Sequence, residues 1–137
     1  MHFAALWVVN FYIGFDMPKF SNASHTKLAT CAQELQLICD ELIKEIDFVV
    51  LCGNRGEEEQ NLAFASGRSK AKFPDSKHNT YPSKAVDLAP YPIDWNDTAR
   101  FKDLAVRFKR IAKEKNIPIN WGGDFKKLVD MPHFELV

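Results

Sequence analysis

Between residues 97 and 115, apolar side chains recur at helical spacing, and this pattern limits the fold more than any other feature of the sequence. Asp97 or Thr98 would cap a helix that ends near Lys115. Its Lys and Arg residues lie opposite the apolar face, as is typical of a solvated helix surface rather than a binding patch. The apolar positions are Phe101, Leu104, Ala105, Phe108, Ile111 and Ala112.

Other apolar runs predict the remaining elements. β-Branched or alternating runs predict strands, and periodic runs predict two more helices, the first of them capped by Thr30. Because helices and short strands segregate instead of alternating, the predicted fold class is α+β, with a small antiparallel sheet and two or three packed helices. The strands are expected at 48–53, 85–89, 117–121 and 132–137, the helices at 32–46 and 57–65, and a long polar loop at 68–84.

The composition is that of one globular domain. The 137 residues are 46% hydrophobic and 26% charged, which is enough for one sizeable core. The 18 basic and 18 acidic side chains cancel, so we predict no nucleic-acid partner, and any specificity must come from a local site. The cysteines form no CxxC pair, which argues against a disulfide framework and a zinc finger. We expect Cys31, Cys39 and Cys52 to be reduced, buried thiols.

An uncharged apolar run occupies residues 3–15. It is shorter than the roughly 20 residues that span a bilayer, and no basic segment precedes it as in a secretory signal. We therefore predict that residues 1–16 are an extension outside the folded unit, that residues 17–137 form a single domain, and that the chain does not insert stably into a membrane. A signal or anchor, or a packed strand, are the alternatives for this segment.

His78 and Asp87 are the first pair of candidate functional residues. His78 ends the long polar loop, and Asp87 lies inside an apolar strand, on the face that it shares with Ala85 and Ala89. A carboxylate is costly to bury there unless a cation or a hydrogen-bond donor pairs with it. A metal ion, an arginine or a backbone cap would each serve.

A second group of candidates lies near residue 133. Strand alternation puts His133 and Glu135 on one face, and Asp130 precedes the strand. Two histidines and one aspartate, with a further carboxylate nearby, are the composition of a catalytic zinc site, because three protein ligands leave one position for water. Spacing alone does not establish that these residues converge.

In their order and joint presence, these residues resemble the zinc peptidases of bacterial cell walls. That superfamily contains D-alanyl-D-alanine carboxypeptidases of the VanY type and the L-alanyl-D-glutamate endopeptidases used as phage endolysins. The similarity covers essentially residues 17–137. Its motifs are Ser76-Lys77-His78, Ala85-Val86-Asp87-Leu88 and Asp130-Met131-Pro132-His133-Phe134-Glu135, together with Cys52-Gly53-Asn54-Arg55-Gly56 and Trp121-Gly122-Gly123-Asp124.

The resemblance implies one Zn²⁺ per chain, held by His78, Asp87 and His133 in a cleft on the sheet. It implies that Asp130 is the catalytic acid/base, which takes a proton from a zinc-bound water that attacks the scissile carbonyl, and that Arg55 steadies the developing oxyanion. One departure is the gap from His78 to Asp87, which is longer than in members with a compact motif. This difference affects the rim of the cleft rather than the metal ligands.

Three further residues are weaker candidates for the cleft or for orienting a ligand. Glu135 could orient a ligand histidine, or it could be a salt-bridged strand residue. Trp121 could form the floor of the cleft, or it could pack in the core. Ser76 belongs to the motif around the first histidine.

The resemblance implies hydrolysis of an amide bond in the peptidoglycan stem peptide. The resemblance to small single-domain endolysins favours the bond between L-Ala and D-Glu. A D-alanyl-D-alanine carboxypeptidase is the alternative within the enzymes. A non-catalytic cell-wall-binding or virion structural domain is the alternative from another class. We expect a monomer whose partner is the stem peptide, and which stays in the cytoplasm until a membrane lesion releases it to the cell wall or periplasm.

Overall fold

The computed structural model describes residues 18–137, and the predicted extension at residues 1–16 lies outside them. The described part of the chain forms four α-helices, four strands and two 3₁₀ turns. The helices are α1 (Asn22–Leu28), α2 (Gln33–Leu42), α3 (Glu57–Ala65) and α4 (Thr98–Glu114). The strands are β1 (Phe48–Cys52), β2 (Ala85–Pro90), β3 (Ile119–Trp121) and β4 (His133–Leu136), and the 3₁₀ turns are Lys77–Asn79 and Gly122–Asp124.

The strands form one antiparallel sheet in the order β1-β2-β4-β3, which confirms the predicted α+β class. The pairing of β1 with β2 is irregular between Val50 and Cys52, so that Cys52 lies opposite Asp87. Asp87 in turn lies opposite His133 of β4. Such irregularities re-aim side chains and are common beside active sites. Here, three polar residues form one row across the centre of the sheet.

The hydrophobic core lies between the sheet and the helices α2 and α4. Phe108 of α4 stacks on Phe134 of β4 with 4.1 Å between ring centroids, and both side chains are fully buried. Each large side chain buried in this way stabilises the fold by roughly 1.5–3 kcal/mol. The apolar face predicted for α4 is the buried one, and Asp97 caps the helix by accepting from the Arg100 N–H. The core therefore fixes β2 and β4, the two strands that carry the candidate ligands.

Two features of the first helices differ from what the sequence predicts. Thr30 does not cap α2, which begins after Ala32 and ends at Leu42. The Thr30 hydroxyl instead donates to the carbonyl oxygen of Lys27 and accepts from the N–H of Asn54. Helix α1 was not predicted, because its seven residues are too few to show a period.

The three cysteines are free, and two of them are fully buried as predicted. Burial raises the pKa of Cys31 to about 12, so this residue stays a neutral thiol. Cys52 differs, because it is only partly buried, belongs to the row of polar residues on the sheet, and lies 3.8 Å from Nδ1 of His78. Within residues 18–137, no helix has the length and apolar character that crossing a bilayer requires.

Candidate metal centre and its cleft

Three side chains converge at the centre of the sheet. Asp87 and His133 are cross-strand partners, and His78 lies on the first 3₁₀ turn. The Nε2 atom of His78 lies 3.2 Å from Oδ1 of Asp87 and 3.2 Å from Nδ1 of His133. The Nδ1 atom of His133 lies 3.1 Å from the same oxygen of Asp87. The three residues predicted as metal ligands therefore lie together.

The spacing of these three donor atoms fits a small tetrahedral cation. Ligand atoms about 2.0–2.1 Å from a tetrahedral zinc ion are about 3.3–3.4 Å from one another. The observed separations of 3.1–3.2 Å fall within a few tenths of an ångström of that value. Two imidazole nitrogens and one carboxylate oxygen also match the ligand types that zinc takes in catalytic sites. The residues present therefore fit the metal that the resemblance implies.

The outer nitrogen of each histidine has an acceptor. Nδ1 of His78 lies 2.7 Å from the carbonyl oxygen of Gly53, and Nε2 of His133 lies 2.8 Å from Oε1 of Glu135. Glu135 is paired in turn with Lys77, at 3.2 Å. Partners of this kind fix the orientation of a ligand histidine and determine which nitrogen faces the metal.

The turn that carries His78 is fixed by its own capping residue. The Ser76 hydroxyl accepts a hydrogen bond from the N–H of His78, and Asn79 Oδ1 accepts one from the N–H of Ser76. This reciprocal arrangement is a capping box. Ser76 therefore holds the turn that points His78 at the other two side chains.

The electrostatics of the cluster favour protonated histidines beside an ionised Asp87. Burial by itself lowers the pKa of both histidines, but their hydrogen bonds outweigh it. Asp87 and Cys52 raise the pKa of His78 to about 10, and Asp87 and Glu135 raise the pKa of His133 to about 9. Burial raises the pKa of Asp87, yet the two histidines hold it well below its usual range. Without a metal ion, protons supply the cationic charge that this carboxylate requires.

Asp130 lies at the edge of this cluster. One of its carboxylate oxygens is within 4.8 Å of the donor atoms of Asp87 and His133. Its N–H donates to the carbonyl oxygen of Gly122, and a Cβ on Gly122 would collide with the carbonyl oxygen of Asp130, so this close approach requires glycine. Burial, and then the charge of Asp87, raise the pKa of Asp130 above its ordinary value. A raised carboxyl pKa is typical of a group that exchanges protons in a reaction.

Arg55 reaches the cluster from the segment between β1 and α3. Its Nη2 atom lies 3.4 Å from Oδ2 of Asp87, and its Nη1 atom donates to Oε1 of Gln60 at 3.1 Å. The Arg55 side chain is 15% exposed, so it is accessible from the cleft and yet held by two acceptors. Asp87 thus has a histidine pair on one oxygen and an arginine on the other.

Gln60 belongs to the site, but the sequence gives no sign of it. It follows three glutamates in a helix with no clear apolar face. Its side chain is fully buried. Its Oε1 accepts from Arg55 and from the Asn79 amide, and its Nε2 donates to the Ser69 hydroxyl and to the carbonyl oxygen of Ala71. Gln60 therefore joins Arg55, the His78 turn and the loop after α3.

Replacing Gln60 by Leu should lower the free energy of unfolding by about 2–3 kcal/mol, because the partly buried Arg55 guanidinium and the partly buried Asn79 amide would lose the oxygen that accepts from them. Urea denaturation of the metal-free protein measures this. Glu58→Gln is the matched control on the same helix, since Glu58 is exposed and should change stability little. A Gln60→Leu variant as stable as the Glu58→Gln variant would show that the Gln60 network is not a stabilising element.

The cluster opens into a cleft on the sheet. Its lining includes Arg55, Ser76, Asp130 and Glu135, together with the exposed ring of Trp95. Trp121 does not line this cleft: its ring packs near Phe134 in the core, and its Nε1 donates to the carbonyl oxygen of Met131 at 2.7 Å. Of the eight residues predicted for the site, the structure gathers all but Trp121 around the cleft.

Comparison with known proteins places this chain in a family. Residues 16–137 match the model of the phage L-alanyl-D-glutamate peptidases. The chain belongs to the phage L-alanyl-D-glutamate peptidase family. Its relatives in this group include the L-alanyl-D-glutamate peptidase of Escherichia phage T5, which is 34% identical over 113 residues, covering 78% of this chain and 81% of the relative.

Two bacterial relatives extend the L-alanyl-D-glutamate peptidase comparison. The peptidoglycan L-alanyl-D-glutamate endopeptidase CwlK of Bacillus subtilis (strain 168) is 28% identical over 109 residues, which are 69% of this chain and 63% of CwlK. The crystal structure of the L-Ala D-Glu endopeptidase ChiX of Serratia marcescens superimposes with a TM-score of 0.77 at 26% identity. That match covers 92% of this chain and 95% of ChiX. The small antiparallel sheet with its helices is therefore the fold of a solved endopeptidase.

Proposed function

We propose that this protein is a zinc-dependent peptidase that cleaves the peptidoglycan stem peptide between L-alanine and D-glutamate. The bond is suggested by the family and by the activities named for the phage T5, CwlK and ChiX relatives. The observation that carries the chemistry is the triangle of donor atoms from His78, Asp87 and His133 beside Asp130. Those three residues would hold the metal.

A bound zinc ion would supply a Lewis acid that polarises a carbonyl and brings the pKa of a water molecule to roughly 7. The remaining chemistry falls to the side chains around it. Asp130 accepts a proton from the water whose oxygen attacks the scissile carbonyl carbon. As the carbon–nitrogen bond breaks, Asp130 returns that proton to the leaving amine of D-glutamate.

Arg55 is proposed to stabilise the oxyanion that develops at the scissile carbonyl. Its guanidinium is already oriented by Asp87 and Gln60, so it does not have to be ordered during the reaction. A preorganised donor of this kind contributes about 3–4 kcal/mol to transition-state stabilisation in other hydrolases. Glu135 is proposed to act through His133, whose outer nitrogen it contacts.

Mass spectrometry of peptidoglycan fragments tests the proposed function. Purified peptidoglycan is incubated with the zinc-loaded protein, with the protein treated with a chelator, and with the chelated protein after zinc has been added back. We expect new stem peptides that begin at D-Glu in the first and third samples and none in the second. This pattern would identify both the bond and the dependence on metal.

Two other results would contradict the proposal in different ways. Loss of a terminal D-Ala, with stem peptides otherwise intact, would indicate a carboxypeptidase that uses the same site. No cleavage of any kind by protein that contains zinc would indicate a non-catalytic domain that binds the cell wall.

A further inference from the structure

We propose that four basic side chains at the mouth of the cleft form a subsite for the free carboxylates of the substrate peptide. We call this group the cationic rim. It deepens the proposed function and rests on it, since it concerns how the same site selects its peptide. Its members are Arg68, Lys70, Lys126 and Lys127, all of which are exposed and line the cleft.

The other charges in the cleft are largely paired with one another. Arg55 contacts Asp87, and Lys77 contacts Glu135, so each of these two cations already has a carboxylate partner within the cleft. None of the four rim residues forms an ion pair with another residue in the 18–137 region. With respect to the residues that the structure describes, two carboxylates in the lining lack a basic partner: Asp75 at the surface and Asp130 beside the metal ligands. The rim therefore has more positive charge than the cleft itself can compensate.

The rim is built from two segments that the fold holds in place. Arg68 and Lys70 lie on either side of Ser69, whose hydroxyl accepts from Gln60, and the N–H groups of Arg68 and Ser69 both donate to the carbonyl oxygen of Ala63. Lys126 and Lys127 follow the second 3₁₀ turn and precede Asp130. Gln60, which holds Arg55, thus also holds the loop that carries Arg68 and Lys70, and Lys126 and Lys127 lie in the segment that leads to Asp130.

The chemistry of the proposed substrate supplies the matching charge. A glutamate residue within a peptide keeps one free carboxylate, whichever of its carboxyl groups continues the chain. The chain as a whole is neutral, with 18 basic and 18 acidic residues, so the positive excess in the cleft is a local property and not a bulk one. A field of this kind acts over about 10 Å at moderate salt, which is the scale of a bound peptide. It favours an acidic peptide over its neutral analogue.

Kinetics on two matched substrates tests the cationic rim. The substrates are synthetic stem peptides that contain the L-Ala–D-Glu bond and differ only in whether the free carboxylate of D-Glu is an acid or a carboxamide. The variants are Arg68→Gln/Lys70→Gln, Lys126→Gln/Lys127→Gln and the combination of all four. The control is Lys102→Gln/Lys113→Gln, which removes two exposed lysines of α4 that do not line this cleft.

We expect the wild-type protein to prefer the acid peptide, with a higher kcat/KM that falls as salt is raised. Each rim pair should lower kcat/KM on the acid peptide about two- to tenfold, mainly through KM, and change kcat/KM on the carboxamide little. The four-residue variant should lose most of the preference. The control pair should leave both values and their ratio unchanged.

Two results would overturn the inference. An acid-to-carboxamide ratio that is unchanged in the four-residue variant would show that the rim does not recognise carboxylate. Equal losses on both peptides would assign the rim to general binding or to folding. Either result requires an active wild-type protein, whereas inactivity of the wild type on both peptides would count against the proposed function itself.

Discussion

Replacing Asp130 by Asn should lower the rate of stem-peptide cleavage by about 10²–10⁴-fold while leaving zinc bound. Positioned acid–base groups contribute a factor of that size, and the amide of asparagine cannot accept the proton. The metal should remain because the triangle of donor atoms is formed by His78, Asp87 and His133 without Asp130. Steady-state kinetics on a stem peptide and zinc content measured by atomic absorption check the two parts of this prediction.

The matched control for Asp130 is Asp75→Asn, since Asp75 is an exposed carboxylate in the lining of the same cleft. It should retain activity within a few-fold of the wild type. Because burial and Asp87 raise the pKa of Asp130, wild-type activity should also fall as the pH drops through that pKa. Cleavage by the Asp130→Asn variant within tenfold of the wild type would remove Asp130 from the role of the base.

Zinc should bind to the metal-free protein with the release of protons, and its affinity should rise at least tenfold per pH unit between about pH 6 and 8. The reason is that a histidine must be neutral to bind metal, whereas the pKa values of His78 and His133 are raised to about 10 and about 9. Titration calorimetry in two buffers of different ionisation enthalpy counts the protons. We expect at least one per zinc near neutral pH.

Thermal stability should also depend on pH through these histidines, and the dependence should have opposite signs in the metal-free and the zinc-loaded protein. In the metal-free protein, the raised pKa values of His78 and His133 add stability that is complete below the ordinary value of 6.5 and lost as pH rises toward 9 to 10. In zinc-loaded protein, the contribution of the metal grows over the same range. The difference in Tm between the two forms should therefore widen with pH. A His133→Ala variant, as control, should show no zinc-dependent rise in Tm.

Most of the candidate site could be predicted from the sequence because its residues lie in motifs that resemble those of the zinc peptidases of bacterial cell walls, whereas spacing alone does not establish that they converge. Alternation along β2 puts Asp87 on the face that it shares with Ala85 and Ala89, and alternation along β4 puts His133 and Glu135 on one face. The observed pairing of β2 with β4 then brings Asp87 and His133 together. Helix α4 could be predicted from its periodic apolar positions, and those positions are buried in the core as predicted. These are features in which local pattern and tertiary structure agree.

The parts that the sequence does not reveal depend on contacts between distant segments. Gln60 is buried because Arg55, Asn79 and the loop after α3 surround it, and no periodicity marks it. Thr30 is a residue type that often caps helices, but its hydroxyl instead accepts a hydrogen bond from the N–H of Asn54, 24 positions along the chain. In such cases a hydrogen bond to a distant segment replaces the local hydrogen bond that the residue type favours. The pattern of a single segment cannot predict that distant partner.

The large sequence separation of the three proposed metal ligands has a consequence for the lifetime of the folded chain. Asp87 and His133 face each other across β2 and β4 but are 46 positions apart, and His78 is 55 positions from His133. A metal held by all three would be a reversible cross-link around a long loop that contains α4, in a chain whose cysteines are free. Unfolding would then have to break coordinate bonds before proteases could reach the backbone. The supply of zinc would thus determine how long the protein survives proteolysis, as well as whether its site is complete.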